Sequence, residues 1–392
     1  MVLHGPCHGF RSLAGIGADM RAQFFYGTLC HTPLLEVVLG RLPPVQPARL
    51  PGHAVRWAAG ESFPMILPDP AAEAHGLYVP DITADEAARL DYYEGGFGYG
   101  VHPVDVLHDG VQAPALVYMP APGMWQPGAP WRLQDWAESW GEVVVEAARD
   151  FMHQRGRRGS EEVLARYPMM LTRAGARLRA RHAPGPADLR RSPAPEDVAL
   201  HSLDQPHAGF FAVEAARLGF RRFDGSMAGP VTREAFVMGD AVTVLPYDPA
   251  RDRVLVVEQF RAGAWARGDA NPWSLEPVAG RIDGGETPEQ AAHRETQEEA
   301  GLTLQALRFV ARYYPSPAAV TEYLYSYVAV ADLPDTTPGS GGLASEDEDI
   351  RTHVLSFDAL MALVASGEVQ NGPLLVTALW LSHHRDGLRG GA

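Results

Sequence analysis

Between Ala183 and Asp197 the chain reads APGPADLRRSPAPED, and no other stretch limits the fold as strongly. Pro184, Pro186, Pro193 and Pro195 each fix φ and remove a backbone donor, and no apolar periodicity survives across them. A single continuous core is therefore not expected to cross this segment. At 392 residues the chain is also too long for one ordinary core. Two domains are expected, residues 21–182 and 201–392, joined by a Pro-rich linker at 183–200. The halves share neither period nor motif, which excludes a repeat architecture. Residues Met1–Met20 carry scattered Gly and His and lack a secretory pattern. They read as an extension, or as sequence upstream of the true start, and are left out of the fold expectations.

Composition narrows the class. Apolar content of 46% and charged content of 21% fit a soluble globular protein, and no apolar run approaches the length of a bilayer span, so no membrane partner is expected. Cys7 and Cys30 are the whole cysteine complement, too few for a disulfide framework or a thiolate zinc site, which fits a reducing cytoplasm. The net charge of -15 argues against nucleic acid as a partner. The Arg-rich stretch Arg173–Arg191 reads as a solvated helix end running into the linker.

The first half opens with FFYGTLC at 24–30 and alternates β-type runs with turns as far as ALVYMP at 115–120, the pattern of a small α+β barrel. From Trp131 to His153, the residues Trp136, Trp140, Val143, Val144 and Ala147 recur at helical spacing and mark a packing face. In the second half AVTVLPYD and RVLVVEQF, joined by a short Asp-Pro turn, read as a hairpin. The fold class is thus α+β with two domains.

Residues 280–302 read GRIDGGETPEQAAHRETQEEAGL. Thr287, Pro288 and Gln290 form a capping box with Pro at the first helical position, so a helix should start there and stop at Gly301. On that helix Glu295, Glu298 and Glu299 lie three and four residues apart and share one face. So much like charge is costly without a cation, and hard oxygen donors select Mg²⁺ or Mn²⁺ over zinc. A merely solvated acidic face would not need Gly280, Arg294 and Gly301 at their spacings.

The segment resembles the Nudix box, with Gly280, Glu286, Arg294, Glu295, Glu298, Glu299 and Gly301 at the seven fixed positions and Leu302 at the aliphatic one. Such a match arises by chance at on the order of one start position in a hundred million. Thr296 departs from the pattern, which prefers an aliphatic residue there. The resemblance implies an α/β/α sandwich in which Glu295 and Glu299 ligate metal, Glu298 stands beside them, the carbonyl of Ala279 completes the set, and Arg294 pairs with Glu286. Three flanks, VVEQFRAGA at 256–264, PWSLEPVAG at 272–280 and ASEDEDIRTHVLS at 344–356, are similar to the ADP-ribose pyrophosphatase branch. That branch implies hydrolysis of ADP-ribose to AMP and ribose 5-phosphate, with Arg261 and Glu322 on the substrate and Arg233 with Phe210 or Phe211 on the adenine. It implies Glu346 as general base and Glu348 as a further ligand, the exchanged assignment being the alternative. It also implies a homodimer through the Nudix halves. Ala318 and Ala319, beside Pro317, stand where relatives show glycines. The motif of NADH-cleaving relatives does not follow the box, while triphosphates and nucleotide sugars stay open as substrates.

FFYGTL at 24–29, HGLYVP at 75–80 and LDYYEGG at 90–96 resemble the γ-glutamylcyclotransferase-like family, a small β-barrel. The resemblance implies that Tyr26, Gly27, Thr28 and Leu29 hold a γ-glutamyl compound and that Glu94 moves a proton as the amine cyclises. The alternative is a non-catalytic binding module. Fusions of these two domains resemble proteins named for tellurite resistance.

Overall fold

The computed structural model describes residues 21–335, 340–341 and 348–390. The chain divides into two compact units between Ala165 and Arg166.

In the first unit, strands β1 (Arg21–Phe25), β2 (Gln46–Ala58), β3 (Pro64–Ile82), β4 (Tyr99–His108) and β5 (Val111–Pro120) pair in the order β3-β1-β5-β4-β2. A further β2–β3 pairing closes the barrel, and β6 (Pro127–Pro130) extends from β2. Close approach inside so small a barrel demands small residues. A Cβ on Gly76 would lie 2.0 Å from the carbonyl oxygen of Phe25. The helix Ala84–Gly96 begins at a capping box between Thr83 and Glu86 and delivers Glu94 in its last turn. The helical segment expected around Trp136 is present in three pieces: Leu133–Trp136, a π turn at Ala137–Gly141, and Glu142–His153. Trp136, Val143, Val144 and Ala147 are buried and Trp140 is half-buried, so the face is a packing face.

The second unit starts earlier than the Pro-rich segment suggests. The helix Tyr167–His182 belongs to it, not to the barrel. The physical reason lies in two distant glycines. A Cβ on Gly239 would sit 2.3 Å from Thr172 Cγ2, and one on Gly284 would sit 3.0 Å from Leu171 Cβ, so the helix lies hard against Gly239 and closely against Gly284. Ion pairs fasten it: Arg179 to Asp240 at 2.8 Å and Arg177 to Glu214 at 2.9 Å. Arg173 is 1% exposed and Arg177 and Arg179 are half-buried, so the Arg-rich stretch packs at its start, while Arg181 at the helix end and Arg190 and Arg191 beyond it are exposed.

After a three-stranded antiparallel sheet of β7 (Val198–Ala208), β8 (Ala212–Phe220) and β9 (Val231–Val237) comes the main sheet. Its strands are β10 (Ala241–Asp248), β11 (Arg253–Phe260), β12 (Trp273–Glu276), β13 (Val278–Arg281), β14 (Ala306–Tyr313), β15 (Leu324–Val330), β16 (Ser340–Gly341) and β17 (Ile350–Ser356). The order is β14-β15-β10-β11-β17-β16, with β12 on β11 and β13 on β10. The expected hairpin is β10–β11, and its turn is held by Asp248 Oδ1, which accepts from the amides of Ala250 and Arg251.

Every residue of β10 is buried, as befits a central strand covered on both faces. Period-two alternation sends Leu255 and Val257 of β11 toward the helix Pro288–Ala300, and Val254 and Val256 toward the helices Phe357–Ser366 and Gly372–Gly390. The result is the α/β/α sandwich. No helix among the described residues is long and apolar enough to cross a membrane.

Candidate functional site

The helix Pro288–Ala300 carries the box. Thr287 Oγ1 accepts from the Gln290 amide at 3.2 Å, Gln290 Oε1 accepts from the Thr287 amide at 2.9 Å, and Gly301 ends the helix at φ 64°. Thr296 fits an apolar position because its buried hydroxyl donates to the carbonyl of Ala292 at 2.7 Å, leaving its methyl to pack.

Gly280 is required by Glu295: a Cβ there would fall 1.8 Å from Glu295 Cδ. The carboxylate thus lies directly against the backbone of β13. Glu299, 3% exposed, accepts from the Ala279 amide at 3.3 Å. Arg294 knits helix to loop. Its Nε and Nη2 donate to the two oxygens of Glu286 at 3.0 and 2.9 Å, and Nη1 donates to Glu295 at 2.8 Å and Glu298 at 3.1 Å.

Burial pushes the Glu295 carboxyl up to about 7, against the opposing pull of Arg294, with Glu298 and Glu348 adding to the rise. Burial raises Glu299 to about 8, and Glu295 and Glu348 again add to it while the Ala279 amide opposes. Arg294 offsets only part of the rise at Glu295, and the two enclosed carboxyls both stay above their ordinary range.

Among the described residues, no three acidic, His or Cys side chains are gathered closely enough to form a ligand set. Glu295 and Glu298 turn instead toward Arg294. The donors are nonetheless all hard oxygens in an enclosed, electron-rich site, which suits Mg²⁺ or Mn²⁺. Glu348 is half-buried and close enough to be felt by Glu295, Glu299 and Arg261. Glu346 lies outside the described residues.

Arg261 is oriented by a residue that sequence reasoning missed. Its Nε and Nη2 make a fork onto Glu276, at 2.8 and 2.7 Å, and Glu276 is 5% exposed. The signal was within PWSLEPVAG, but its meaning depends on the β11–β12 register, which sets Val257 opposite Glu276 and Phe260 opposite Trp273. Burial raises the Glu322 carboxyl, and Arg281 and Arg261 are the cations that oppose the rise. Arg233 is exposed on β9 and donates to the carbonyl of Thr232 at 3.0 Å. Phe210 and Phe211, at the tip of the β7–β8 hairpin, meet each other at 4.8 Å. Phe236 is bonded to the loop holding Pro317, Ala318 and Ala319, through its amide and the Ala319 carbonyl at 2.8 Å.

The barrel holds a second constellation. Tyr26 and Leu29 are buried, Thr28–Cys30 form one 3₁₀ turn, and a Cβ on Gly27 would press on Pro64 Cγ at 3.0 Å. Burial pushes the Glu94 carboxyl up to about 7, although part of its surface still meets solvent. Burial also lifts the Tyr26 and Tyr99 phenols well above their ordinary range, and the nearby Glu94 adds to both. Tyr99 donates to the Pro64 carbonyl at 2.9 Å, and Tyr118 donates to Asp91 at 2.5 Å. Neither tyrosine was singled out from sequence. An aromatic in a strand reads as packing until the barrel closes around it.

A family model described as NUDIX domain matches residues 238–375, and one described as gamma-glutamyl cyclotransferase, AIG2-like matches residues 23–138. An ADP-ribose pyrophosphatase of Escherichia coli K12 is 38% identical over 195 residues, 49% of this chain and 91% of that protein. One from Haemophilus influenzae is 33% identical over 188 residues, 47% of this chain and 86% of that protein. A GDP-mannose pyrophosphatase of Salmonella paratyphi B is 34% identical over 156 residues, 39% of this chain and 80% of that protein. With a capped box helix, carboxylates packed on β13 and relatives matched over nearly their whole length, the chain belongs to the Nudix hydrolase family, its Nudix domain preceded by a γ-glutamylcyclotransferase-like barrel.

Proposed function

We propose that the Nudix domain hydrolyses ADP-ribose to AMP and ribose 5-phosphate with Mg²⁺ or Mn²⁺. The observation that carries this reading is the enclosed pair Glu295 and Glu299, packed against Gly280 and Ala279 beside an Arg261 already oriented by Glu276. Glu295, Glu299 and Glu348, with the Ala279 carbonyl, would hold the cation, and Glu298 would stand beside them. When bound, the cation neutralises charge on the diphosphate and makes a water more acidic.

The remaining work falls to the chain. Arg261 offers a fixed guanidinium to a phosphate oxygen, and Glu276 prevents it from collapsing onto the acidic cluster. Glu322 accepts hydrogen bonds from ribose hydroxyls. Glu346 takes the proton from the attacking water, the exchanged assignment with Glu348 being the alternative. Arg294, spent on Glu286, Glu295 and Glu298, positions these groups and does not touch substrate. The matched relatives named for ADP-ribose and for GDP-mannose make a substrate panel the direct test. ADP-ribose should exceed GDP-mannose, NADH and nucleoside triphosphates in kcat/KM, and a preference for triphosphates would overturn the assignment.

A second reading concerns the barrel. Glu94 is enclosed, its carboxyl is raised to about 7, and Tyr26 to Leu29 form a tight loop nearby, which supports γ-glutamyl cyclotransfer. Glu94 would accept a proton from the substrate's α-amine. The nitrogen attacks the γ-carbonyl, forming the ring bond of 5-oxoproline, and the proton passes to the departing amine.

A further inference from the structure

The segment ALRFVARY sets two arginines among apolar residues, and it folds as β14, the outermost strand of the main sheet. Among the described residues β14 pairs with β15 alone, so the backbone groups along its other side have no ladder to join. A bulge between Phe309 and Ala311 turns the strand over. Before it, Arg308 stands opposite Val328 and shares that residue's face, toward the helix Gly372–Gly390. After it, Arg312 stands opposite Tyr325 and shares the face of the box helix.

Each face offers a groove. On the first, Arg308 lies beside Phe309, Trp380, His384 and Leu388 along a depression of about 450 Å³. On the second, Arg312 lies beside Phe309, Tyr325, Tyr327 and Arg179 along one of about 500 Å³. Phe309 lines both and keeps 54% of its surface exposed. Among the described residues neither Arg308 nor Arg312 is ion-paired. Charges and a bulge also serve to keep an edge from pairing. That role does not account for an exposed phenylalanine in the middle of the edge, nor for a groove on each side of it.

We infer that the outer edge of β14 is a docking site for an extended acidic segment of another protein, added to the main sheet as a further strand. An added strand makes main-chain hydrogen bonds and sends alternate side chains to the two faces, here into two grooves that each hold a cation. From Arg308 to Arg312 is four residues along β14 but three along β15, from Val328 to Tyr325, because the bulge takes up one. A regular strand on the outer side therefore meets the arginines with carboxylates three residues apart, an odd spacing that sets them on opposite faces, and with apolar side chains between them against Phe309. A second copy of this chain fits worse, since β14 on β14 about a two-fold axis gathers the arginines of both copies at one seam.

Fluorescence anisotropy on the full-length chain tests this with short labelled peptides of valine and threonine that carry two glutamates at that spacing. The acidic peptide should bind wild type and weaken as salt rises, and its lysine counterpart should not bind. Arg308→Glu combined with Arg312→Glu should weaken the acidic peptide about 10-fold or more and admit the lysine peptide. Arg308 is exposed, so Arg308→Glu alone keeps the test intact if the double variant fails to fold. Two further acidic peptides, N-methylated along one edge or along the other, separate strand addition from simple charge attraction, because only an unmethylated edge can donate to β14. One should bind like the parent peptide and the other should lose binding.

No binding of the acidic peptide to wild type, at millimolar concentration and low salt, would leave β14 a guarded edge and overturn the site. So would like behaviour of the two methylated peptides, or of the acidic and lysine peptides. Light scattering of the chain without peptide covers the other occupant: dimerisation that Arg308→Glu abolishes would assign the edge to a second copy and overturn the acidic partner.

Discussion

Glu94 shows what a single enclosed carboxyl predicts. Its carboxyl is raised to about 7 in the folded chain against an ordinary 4.5, because burial penalises the charged form. A raised acid destabilises the folded state as pH climbs through the interval from 4.5 to 7, since ionisation is easier in the unfolded chain. Glu94→Gln should therefore raise Tm relative to wild type at pH 8 and leave it nearly unchanged at pH 4.5, as read by calorimetric melting. If Glu94 is the base of the barrel reaction, kcat/KM for a γ-glutamyl amine should rise with pH through a limb near 7, and the substitution should remove about 10²-fold or more of the turnover. Binding without turnover, indifferent to Glu94, would mark a binding module. Glu94 was legible from LDYYEGG, but Tyr99 and Tyr118 were not, because only barrel closure turns two strand aromatics toward the helix that carries it.

At the scale of elements, local signals were read well and long-range ones poorly. The box helix announced both its ends, since Thr287, Gln290 and Gly301 act within a few residues of one another. The β10–β11 hairpin was equally local. Glu276 was missed because its partnership with Arg261 depends on two strands coming into register. The helix Tyr167–His182 was assigned to the wrong half for the same reason: prolines mark where it ends, while Gly239 and Gly284, far along the chain, decide where it packs.

Arg179 and Asp240 make that assignment testable. Asp240 is 4% exposed, burial raises its carboxyl, and Arg179 opposes the rise. Arg179→Ala should destabilise the second unit by about 2–3 kcal/mol, the lower range for a paired charge stripped of its partner because Arg179 retains some solvent contact. Arg179→Ala in combination with Asp240→Asn should recover part of the loss. Denaturant melts of wild type and the two variants measure this, and no loss in Arg179→Ala would mean the helix is held by its apolar face alone.

For the whole molecule, two units with unrelated motifs predict two separable chemistries. Glu94→Gln should leave nucleotide hydrolysis unchanged, and Glu299→Gln should leave release of 5-oxoproline unchanged, both measured on the full-length chain. A shared loss in either variant would reveal coupling between the activities. Association belongs to this scale too. The sheet β7–β8–β9 exposes Val198, Leu200 and Leu203, an apolar row that a partner copy would cover. We predict a homodimer through the Nudix units, visible as twice the 42.5 kDa chain mass in light scattering. A monomeric mass at working concentration would contradict it.

The measurement closest to the central claim is product identification from ADP-ribose with and without Mg²⁺, comparing wild type with Glu299→Gln. The account predicts AMP and ribose 5-phosphate from wild type in the presence of metal, loss of both on chelation, and about 10²-fold or more less product from Glu299→Gln, whose carboxylate is placed among the ligands. Formation of AMP and ribose 5-phosphate at an undiminished rate by chelated wild type, or by Glu299→Gln, would contradict it.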